Sequence, residues 1–352
     1  MLRNRWSQPI LLDTISFITS TSDLRRVAME STHSLLSPKS AALALGVSES
    51  SVKRWCDRGL IETIRTAGGH RKIATGEIIH FAQKHGSLLA APERMVLSLP
   101  AVSAETSIAD TATQFAEHLL AGDALAVRQI LIGRFLRKEP LSLLFDNLIT
   151  VAFRIIGARW SCSSADVYQE RRGCSIVLDV FQELKEYLRP GLPRQFAIGA
   201  TTTDDHYEIP SAMAELVLRT QRYQTQNLGT AIPFHSLAKA VKDLQPQLFW
   251  LSASHIADEA DFIKGFEKLS SACSENETAL VVGGRALSDA IRPRLVYSAY
   301  CDTMQQLATF AASVQRLKTG PNAAGRKRPV RTPNAMRRGG DRNADKRRPR
   351  TS

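Results

Sequence analysis

The chain has 352 residues, which is more than one small domain needs and fits two or three domains. Hydrophobic residues make up 43% and charged residues 23%, ordinary values for a folded protein that exclude wholesale disorder. Lys and Arg number 46 against 34 Asp and Glu, and the formal net charge of +12 at pH 7 predicts an anionic partner such as nucleic acid.

The N-terminal residues contain no sustained apolar core, and we expect no stretch of the ~18–20 apolar residues that span a bilayer. We therefore expect a reduced cytoplasmic protein without a membrane partner. The cysteines are widely spaced and none forms a C-x-x-C pair, which supports neither a disulfide framework nor a zinc ribbon. The five are Cys56, Cys162, Cys174, Cys273 and Cys301.

Residues 1–34 are rich in Ser and Thr without periodicity and are expected to form a flexible arm. Ser37, followed by a proline, predicts the start of a short helix that ends at Gly46. Ser48 predicts a second helix, ESSVKRWCDRG, after a turn that contains the glycine. Two short helices joined in this way predict a helix-turn-helix.

A hairpin follows the two helices. LIETIR is expected to be a strand, TAGGH a tight turn and RKI the returning strand, after which Thr75 caps a further helix. The unit is complete by residue 86, so we expect a winged helix-turn-helix domain over residues 35–86. These residues hold a local surplus of positive charge.

The second helix suits the major groove, where Ser, Lys and Arg reach base edges and phosphates. Two glycines allow the hairpin tip to approach a phosphate backbone, and the adjacent cations neutralise it. A solvated helix pair with scattered surface charge is the weaker alternative, because the hairpin follows directly. The candidate DNA-binding residues are Ser50, Ser51, Lys53, Arg54, Arg58, Arg65, Thr66, Gly68, Gly69, His70 and Arg71.

The segment SPKSAALALGVSESSVKRWCDRGLIETIRTAGGHRKI resembles the winged helix-turn-helix of MerR-type regulators and phage excisionases. The resemblance covers about 50 residues and implies binding to double-stranded operator DNA. Such heads act in pairs on repeated half-sites, so a homo-oligomer is expected.

Residues 87–104 carry two prolines and little periodicity and are expected to be a linker. Residues 105–190 show apolar positions at helical spacing in four stretches, which predicts a four-helix bundle. Residues 195–318 alternate short apolar runs (FAIGAT, NLGTAI, LFWLSA, ALVVGG, RLVYSA) with helical stretches. This rhythm predicts a five-stranded, doubly wound, flavodoxin-like parallel sheet, whose ligands bind where the strands end.

The tail, residues 319–352, is low in apolar residues and rich in Arg, Pro and Gly, and is expected to be disordered. It holds eleven Lys and Arg and only two acidic residues, which is most of the surplus positive charge of the chain. We expect it to add non-specific, salt-dependent DNA affinity.

A helical bundle followed by such a sheet resembles the cobalamin-binding module of methionine synthase. With the MerR-type head it resembles the light-responsive, adenosylcobalamin-dependent repressors of carotenoid genes (the CarH type). The resemblance implies that the bundle caps the upper face of the corrin. It also implies that an Asp-x-His after the first strand supplies the lower ligand of the cobalt, a role that suits imidazole.

The resemblance assigns Asp204 and His206 to that motif, with His206 as the cobalt ligand. The other matching cofactor positions are Trp160, Glu170, Ser252, Gly283 and Gly284. Four positions depart from the family pattern: Arg171 and Ser161 replace histidines of the upper face, Ile209 replaces a glycine beside the nucleotide tail, and Ser254 replaces a leucine.

The first hypothesis is therefore a non-enzymatic transcription regulator whose second half senses cobalamin or another signal, or serves only assembly or partner docking without a cofactor. A protein antirepressor is a further candidate partner. The alternative is a corrinoid-carrying enzyme module for methyl transfer or isomerisation, which would leave the helix-turn-helix unexplained.

Overall fold

The computed structural model describes residues 35–85, 108–161, 166–188 and 195–319. The predicted arm (1–34), the linker (87–104), Cys162 and the tail beyond residue 319 lie outside the described residues. We call residues 35–85 the head, residues 108–188 the bundle and residues 195–319 the α/β module.

The head contains two short helices, a hairpin and a third helix. Its elements are β1 (Leu35–Leu36), α1 (Pro38–Leu45), α2 (Glu49–Asp57), β2 (Ile64–Arg65), β3 (Arg71–Ala74) and α3 (Thr75–Lys84). The Oγ of Ser37 accepts from the backbone N of Ser40 at 3.1 Å, and the Oγ of Ser48 accepts from that of Ser51 at 3.2 Å. Gly46 ends α1 at φ +68°, a left-handed conformation that glycine adopts without strain. The predicted helix starts are thus observed.

The strands of the head differ from the prediction. Strand β1 was not expected, and it pairs with β3 to give an antiparallel sheet of order β1-β3-β2. The LIETIR strand is only two residues long. Thr75 is the first residue of α3 instead of its cap, because the cap position is Ala74, which offers no side-chain acceptor.

Four helical segments form the bundle, as predicted. They are α4 (Ile108–Ala121), α5 (Ala124–Leu136), a third helix made of α6 (Leu141–Leu144), a π-helical turn (Phe145–Ile149) and α7 (Thr150–Ser161), and α8 (Val167–Tyr187). The π-helical turn could not be read from the sequence, because its five residues are too few to show a period different from that of the α-helix around them.

Contrary to expectation, one described helix, Leu141–Arg159, is long and apolar enough to cross a membrane by length and composition. In the bundle this helix turns Leu144, Phe145, Leu148 and Ile156 into the protein core. Its apolar character is accounted for by helix packing.

The α/β module is a five-stranded, wholly parallel sheet of order β5-β4-β6-β7-β8 with helices on both faces. Its elements are β4 (Gln195–Thr201), α9 (Glu208–Thr220), β5 (Tyr223–Asn227), α10 (Phe234–Leu244), β6 (Leu248–Ser252), α11 (Glu259–Glu275), β7 (Ala279–Gly283), a 3₁₀ turn (Arg292–Arg294), β8 (Ala299–Tyr300) and α12 (Met304–Thr319). The predicted flavodoxin-like class is confirmed. Helices α9 and α12 cover one face and α10 and α11 the other.

Two strands lie elsewhere than expected. NLGTAI was predicted to be the second strand, but β5 is YQTQN, just before it. In this edge strand Tyr223 and Thr225 are buried while the glutamines between them are exposed, so the strand lacks a continuous apolar run. Strand β8 is only two residues long and begins at the last residue of the predicted RLVYSA.

Three polar or aromatic contacts join the parts of the chain. Asp146, in the π-helical turn, accepts from the first backbone N–H groups of α12 at 2.8 and 3.1 Å. Lys185 of α8 pairs at 2.7 Å with Glu215 of α9, whose side chain is 3% exposed. A Cβ on Gly76 of α3 would lie 3.6 Å from the ring of Tyr187 in α8, so the head rests on the bundle at this glycine.

The cysteines that the structure describes carry free thiols. Burial raises the pKa of Cys174 and of Cys301 to about 11, and that of Cys273 to about 12. These three thiols therefore stay protonated near neutral pH and are poor nucleophiles and metal ligands.

Candidate nucleic-acid interface and ligand crevice

The polar face of α2 is open to solvent. Lys53, Arg54 and Arg58 are exposed, while Val52 is fully buried and Trp55 packs on Phe81 of α3 at 4.7 Å between ring centroids. Lys53 pairs with Glu49 one turn earlier at 2.8 Å. In the part of the chain that the structure describes, no ion pair engages Arg54 or Arg58. Both guanidinium groups are free to meet a phosphate or a guanine edge.

Serine hydroxyls cluster at the start of the same helix. The Oγ of Ser48 lies 2.9 Å from the Oγ of Ser50 and 2.9 Å from that of Ser51. A helix N-terminus with hydroxyl groups contacts a DNA backbone well, because its N–H groups and partial positive charge favour phosphate.

The hairpin between β2 and β3 is tight and exposed at its tip. The backbone N of Thr66 donates to the O of His70 at 2.9 Å, and the backbone N of His70 donates to the Oγ1 of Thr66 at 3.2 Å. Gly69 has φ +78°, the left-handed conformation that the turn requires, and Gly68 is exposed. Thr66 thus shapes the tip, while the exposed Arg65 and His70 are left to contact a partner.

Arg71 is engaged within the head, which the sequence did not indicate. Its Nη2 donates to the Oδ1 of Asp57 at 2.6 Å and its Nη1 to the backbone O of Lys53 at 3.2 Å. The side chain is 20% exposed. Arg71 therefore fastens the hairpin to α2 and sets the angle between them.

This geometry separates two roles for Arg71. If Arg71 holds the hairpin in place, D57A should weaken DNA binding about as much as R71A, each by roughly 1 kcal/mol or about fivefold in Kd. Fluorescence anisotropy with labelled duplex DNA measures both. If Arg71 instead contacted DNA alone, D57A would leave binding equal or tighter, because it frees the guanidinium and removes a negative charge.

The ligand crevice of the α/β module follows from its strand order. The chain places β5 on one side of β4 and β6 on the other, so the direction of winding reverses between β4 and β6. In such sheets ligands bind at this reversal, outside the carboxyl ends of the two strands. The crevice is bordered by the loop after β4, with His206, and the loop after β6, with Ser254.

Asp205, the neighbour of the predicted cofactor residue Asp204, is the buried carboxylate of the first loop. Asp205 is fully buried, and its two oxygens accept from the backbone N of Ser254 at 2.6 Å and of Tyr207 at 3.0 Å. The bond to Ser254 crosses the crevice and ties its two sides together. Asp204 is exposed at φ +63°, a left-handed turn conformation that Asp tolerates. The sequence could not distinguish the two neighbours.

His206 and its surroundings form an exposed rim. His206 itself is exposed. Beside it, the guanidinium of Arg285 lies 4.9 Å from the ring centroid of Tyr207, and its Nε donates to the backbone O of Ser254 at 3.3 Å. Arg285 and Tyr207 thus link the loop after β7 to that after β4, and neither was singled out from the sequence.

Ser252 and the two glycines lie deeper in the crevice. The Oγ of Ser252 is buried and has no hydrogen-bond partner among the described residues. A Cβ on Gly283 would lie 2.7 Å from the O of Cys301, and one on Gly284, at φ +116°, would lie 2.3 Å from the O of Ala253. Both glycines are therefore required by the approach of neighbouring backbone, with or without a ligand.

The bundle residues matched by the resemblance stand at the junction of α7 and α8. Trp160 lies near the end of α7. Its side chain and residues 162–165 lie outside the part of the chain that the structure describes. Glu170 is half-buried in the first turn of α8 and Arg171 is exposed. Their roles towards a corrin stay predictions.

The crevice fits a corrinoid only in part. The exposed imidazole of His206 suits a ligand at the rim, and the buried hydroxyl of Ser252 below it has no hydrogen-bond partner among the described residues. Ile209 is 8% exposed and packs in the core where the resemblance needs a glycine to let the nucleotide tail pass. Across the described residues, no group of three or more His, Cys, Asp or Glu side chains could hold a metal ion directly.

Comparison with known proteins gives separate support for the helix-turn-helix in the head and for the fold of the rest of the chain. Residues 35–86 match the helix-turn-helix domain family. No curated protein matches the chain in sequence. Among solved structures, the monomethylamine corrinoid protein of Methanosarcina barkeri matches with a TM-score of 0.50 at 12% identity, over 59% of this chain and all of that one.

Two further structures match less well. A cobalamin-binding protein from Desulfitobacterium hafniense DCB-2 has 15% identity and a TM-score of 0.31, over 58% of this chain and 97% of that one. The methanol:cobalamin methyltransferase complex of Methanosarcina barkeri has 15% identity and a TM-score of 0.32, over 61% and 86%. The chain thus carries a helix-turn-helix domain, followed by the fold of a corrinoid protein.

Proposed function

We propose that the protein is a DNA-binding transcription regulator of the MerR type, not an enzyme, that acts in the cytoplasm. The observation that carries the proposal is a single exposed surface of the head, where the polar face of α2 and the hairpin are held together by Arg71. Helix α2 enters the major groove of an operator, and Arg65 and His70 of the hairpin act as a wing on the adjacent backbone.

The rest of the chain is proposed to control the arrangement of the heads. Helix α3 of the head rests on Tyr187 at the end of α8, and α8 is tied to α9 through Lys185 and Glu215. Helix α9 in turn begins directly after His206 at the crevice. A ligand or partner that binds at the rim would change DNA affinity only if it binds one arrangement of these contacts more tightly than another.

The regulator does not need a cofactor to perform this role. If a corrinoid binds, His206 would hold its cobalt and Ser252 would bond to the group nearest the sheet, with Trp160 and Glu170 on the bundle side. The buried Ile209 favours the version in which the α/β module serves assembly or partner docking. A homo-oligomer and a protein antirepressor are the partners that suit it.

The alternative is a corrinoid-carrying module of an enzyme for methyl transfer or isomerisation. Its support is the fold shared with the monomethylamine corrinoid protein, at an identity where likeness shows only the fold. It gives no role to the helix-turn-helix, and we prefer the regulator. The first test is binding of the purified full-length chain to the DNA upstream of its own gene, measured by gel shift against unrelated duplex.

Removing residues 320–352 is expected to reduce non-specific DNA binding. These residues carry eleven Lys and Arg and two Asp, and each phosphate neutralised adds about 0.9 to the slope of log K against log salt concentration. We expect the slope to fall by several units while the preference for operator over unrelated DNA is retained. Anisotropy titrations between 50 and 300 mM salt measure it, roughly the range over which counterion release is resolved. An unchanged slope would contradict the role of the tail.

A further inference from the structure

Side chains fill the space between the sheet and helix α9, directly below the crevice. The indole of Trp250 on β6 is 2% exposed and belongs to the same core as Ile209 and Leu307 of α12. Its Nε1 donates to the Oγ of Ser211 at 3.0 Å, and that hydroxyl donates to Asn227 at 3.3 Å. The indole is thus held by a hydrogen bond as well as by packing.

Trp250 fits this place because the neighbouring strand has no side chain there. A Cβ on Gly199 of β4 would lie 2.0 Å from the Cδ2 of the indole, far inside contact distance. Gly199 and Trp250 are direct partners in the parallel register of β4 and β6. The two residues therefore form a matched pair, in which the large side chain occupies the space left by the small one.

The position of Trp250 sets the depth of the crevice. Ser252 lies two residues further along β6 on the same face, about 7 Å closer to the carboxyl edge. Its register neighbours are Thr201 and Gly283, and its Oγ has no partner among the described residues. This hydroxyl is buried, and the indole of Trp250 fills the space one step deeper on the same face of the sheet.

Ile209 closes the same space from the side of α9. It lies in the first turn of that helix, three residues after His206, and is 8% exposed. With Trp250 as the floor, Ile209 as the wall and the Oγ of Ser252 itself buried, protein side chains occupy the space below the rim. A benzimidazole, a ribose and a phosphate in series would need an open channel in the place of these side chains.

We infer that the α/β module does not take cobalamin with its nucleotide tail buried beneath the crevice, because Trp250, fixed by Ser211, occupies that space together with Ile209. Any corrinoid that the chain holds is bound at the rim alone. This inference does not depend on DNA binding by the head, and either can fail without the other.

The test uses the full-length protein with hydroxocobalamin and with cobinamide, a corrinoid that lacks the nucleotide tail. We expect that cobalamin is not retained in gel filtration, or is retained with its benzimidazole still on the cobalt, as electron paramagnetic resonance of the Co(II) form bound to 15N-labelled protein reports. Retention of cobinamide but not of cobalamin would support the inference. Cobalamin retained with the base displaced from cobalt, in a form abolished by H206A, would overturn it.

Two variants test the role of the indole itself. W250A opens the space and is expected to lower the melting temperature by about 10 °C, and indole at millimolar concentration should restore part of the loss. W250F keeps an aromatic ring there and should lose less and respond less to indole. An unchanged melting temperature of W250A would show that Trp250 does not fill the space and would contradict the inference.

Discussion

Replacing Arg54 by alanine is expected to weaken operator binding by about 1–3 kcal/mol, roughly five- to 150-fold in Kd. Arg54 is exposed on the polar face of α2, among the residues that would face the groove. Since it forms no ion pair with any residue that the structure describes, the substitution removes only contacts to the partner. Val52 and Trp55, on the opposite side, keep the helix packed.

Anisotropy titrations with operator and with unrelated duplex show which contact Arg54 makes. A bond to a guanine edge lowers operator affinity alone, whereas a phosphate contact lowers both and reduces the salt slope by about 1. R154A is the matched control, because Arg154 is an exposed arginine on α7 of the bundle. If R54A binds operator as tightly as R154A does, the DNA surface lies elsewhere.

Replacing Glu215 by alanine is expected to have the largest effect on stability. Its buried carboxylate pairs with Lys185 at 2.7 Å and Arg219 at 3.5 Å and accepts from the Oγ1 of Thr225 at 3.1 Å. Removing it leaves two cations, 25% and 19% exposed, without their shared partner. We expect a loss of roughly 2–4 kcal/mol, somewhat less than for fully buried pairs because both cations reach water.

Lys185 belongs to the bundle and Glu215 to the α/β module, so E215A should also split thermal unfolding into two transitions. Differential scanning calorimetry measures both effects. The double variant K185M/E215L should lose less than E215A, since it leaves one buried charge fewer without a partner. E267A, at an exposed position of α11, is the control. A single transition at the wild-type temperature would show that this pair does not join the two parts.

The sequence signals that predicted the helices of the head depend on contacts between residues close together in the chain. The side chains of Ser37 and Ser48 accept hydrogen bonds from backbone N–H groups in the first turn of the helices that they precede. Gly46 adopts the left-handed conformation that ends the first of these helices. Such features depend on residues three or four positions apart, so one sequence suffices to read them. The apolar periodicity of the bundle is equally local, and its four helices were predicted with small errors at their ends.

The features that could not be predicted depend on contacts between distant residues. Arg71 meets Asp57 across fourteen positions, and the indole of Trp250 needs both Gly199 and Ser211. The motif assigned Asp204, but the buried carboxylate is that of its neighbour Asp205, and Asp204 occupies an exposed left-handed turn. Strand β5 was missed because an edge strand with alternating glutamines lacks an apolar run.

The fold expected from the resemblance to cobalamin-dependent repressors is observed, whereas the cofactor residues that it assigns stay predictions. Gly283 and Gly284 are present at the expected places, yet backbone contacts within the module already account for them. Departures at single positions, such as Ile209, carry more information about the ligand than the matches do. Both glycines are therefore expected in this fold whether or not a cofactor binds.

Selection of bound sites from a random pool of double-stranded DNA by the full-length protein shows whether the head reads sequence. We expect one recurring half-site to be enriched at physiological salt, and R54A to lose this enrichment while R154A keeps it. Repeated half-sites at a fixed spacing are expected if paired heads bind together. Recovery of random sequences, with affinity that depends only on salt, would contradict the assignment of the head as a sequence-specific DNA-binding domain.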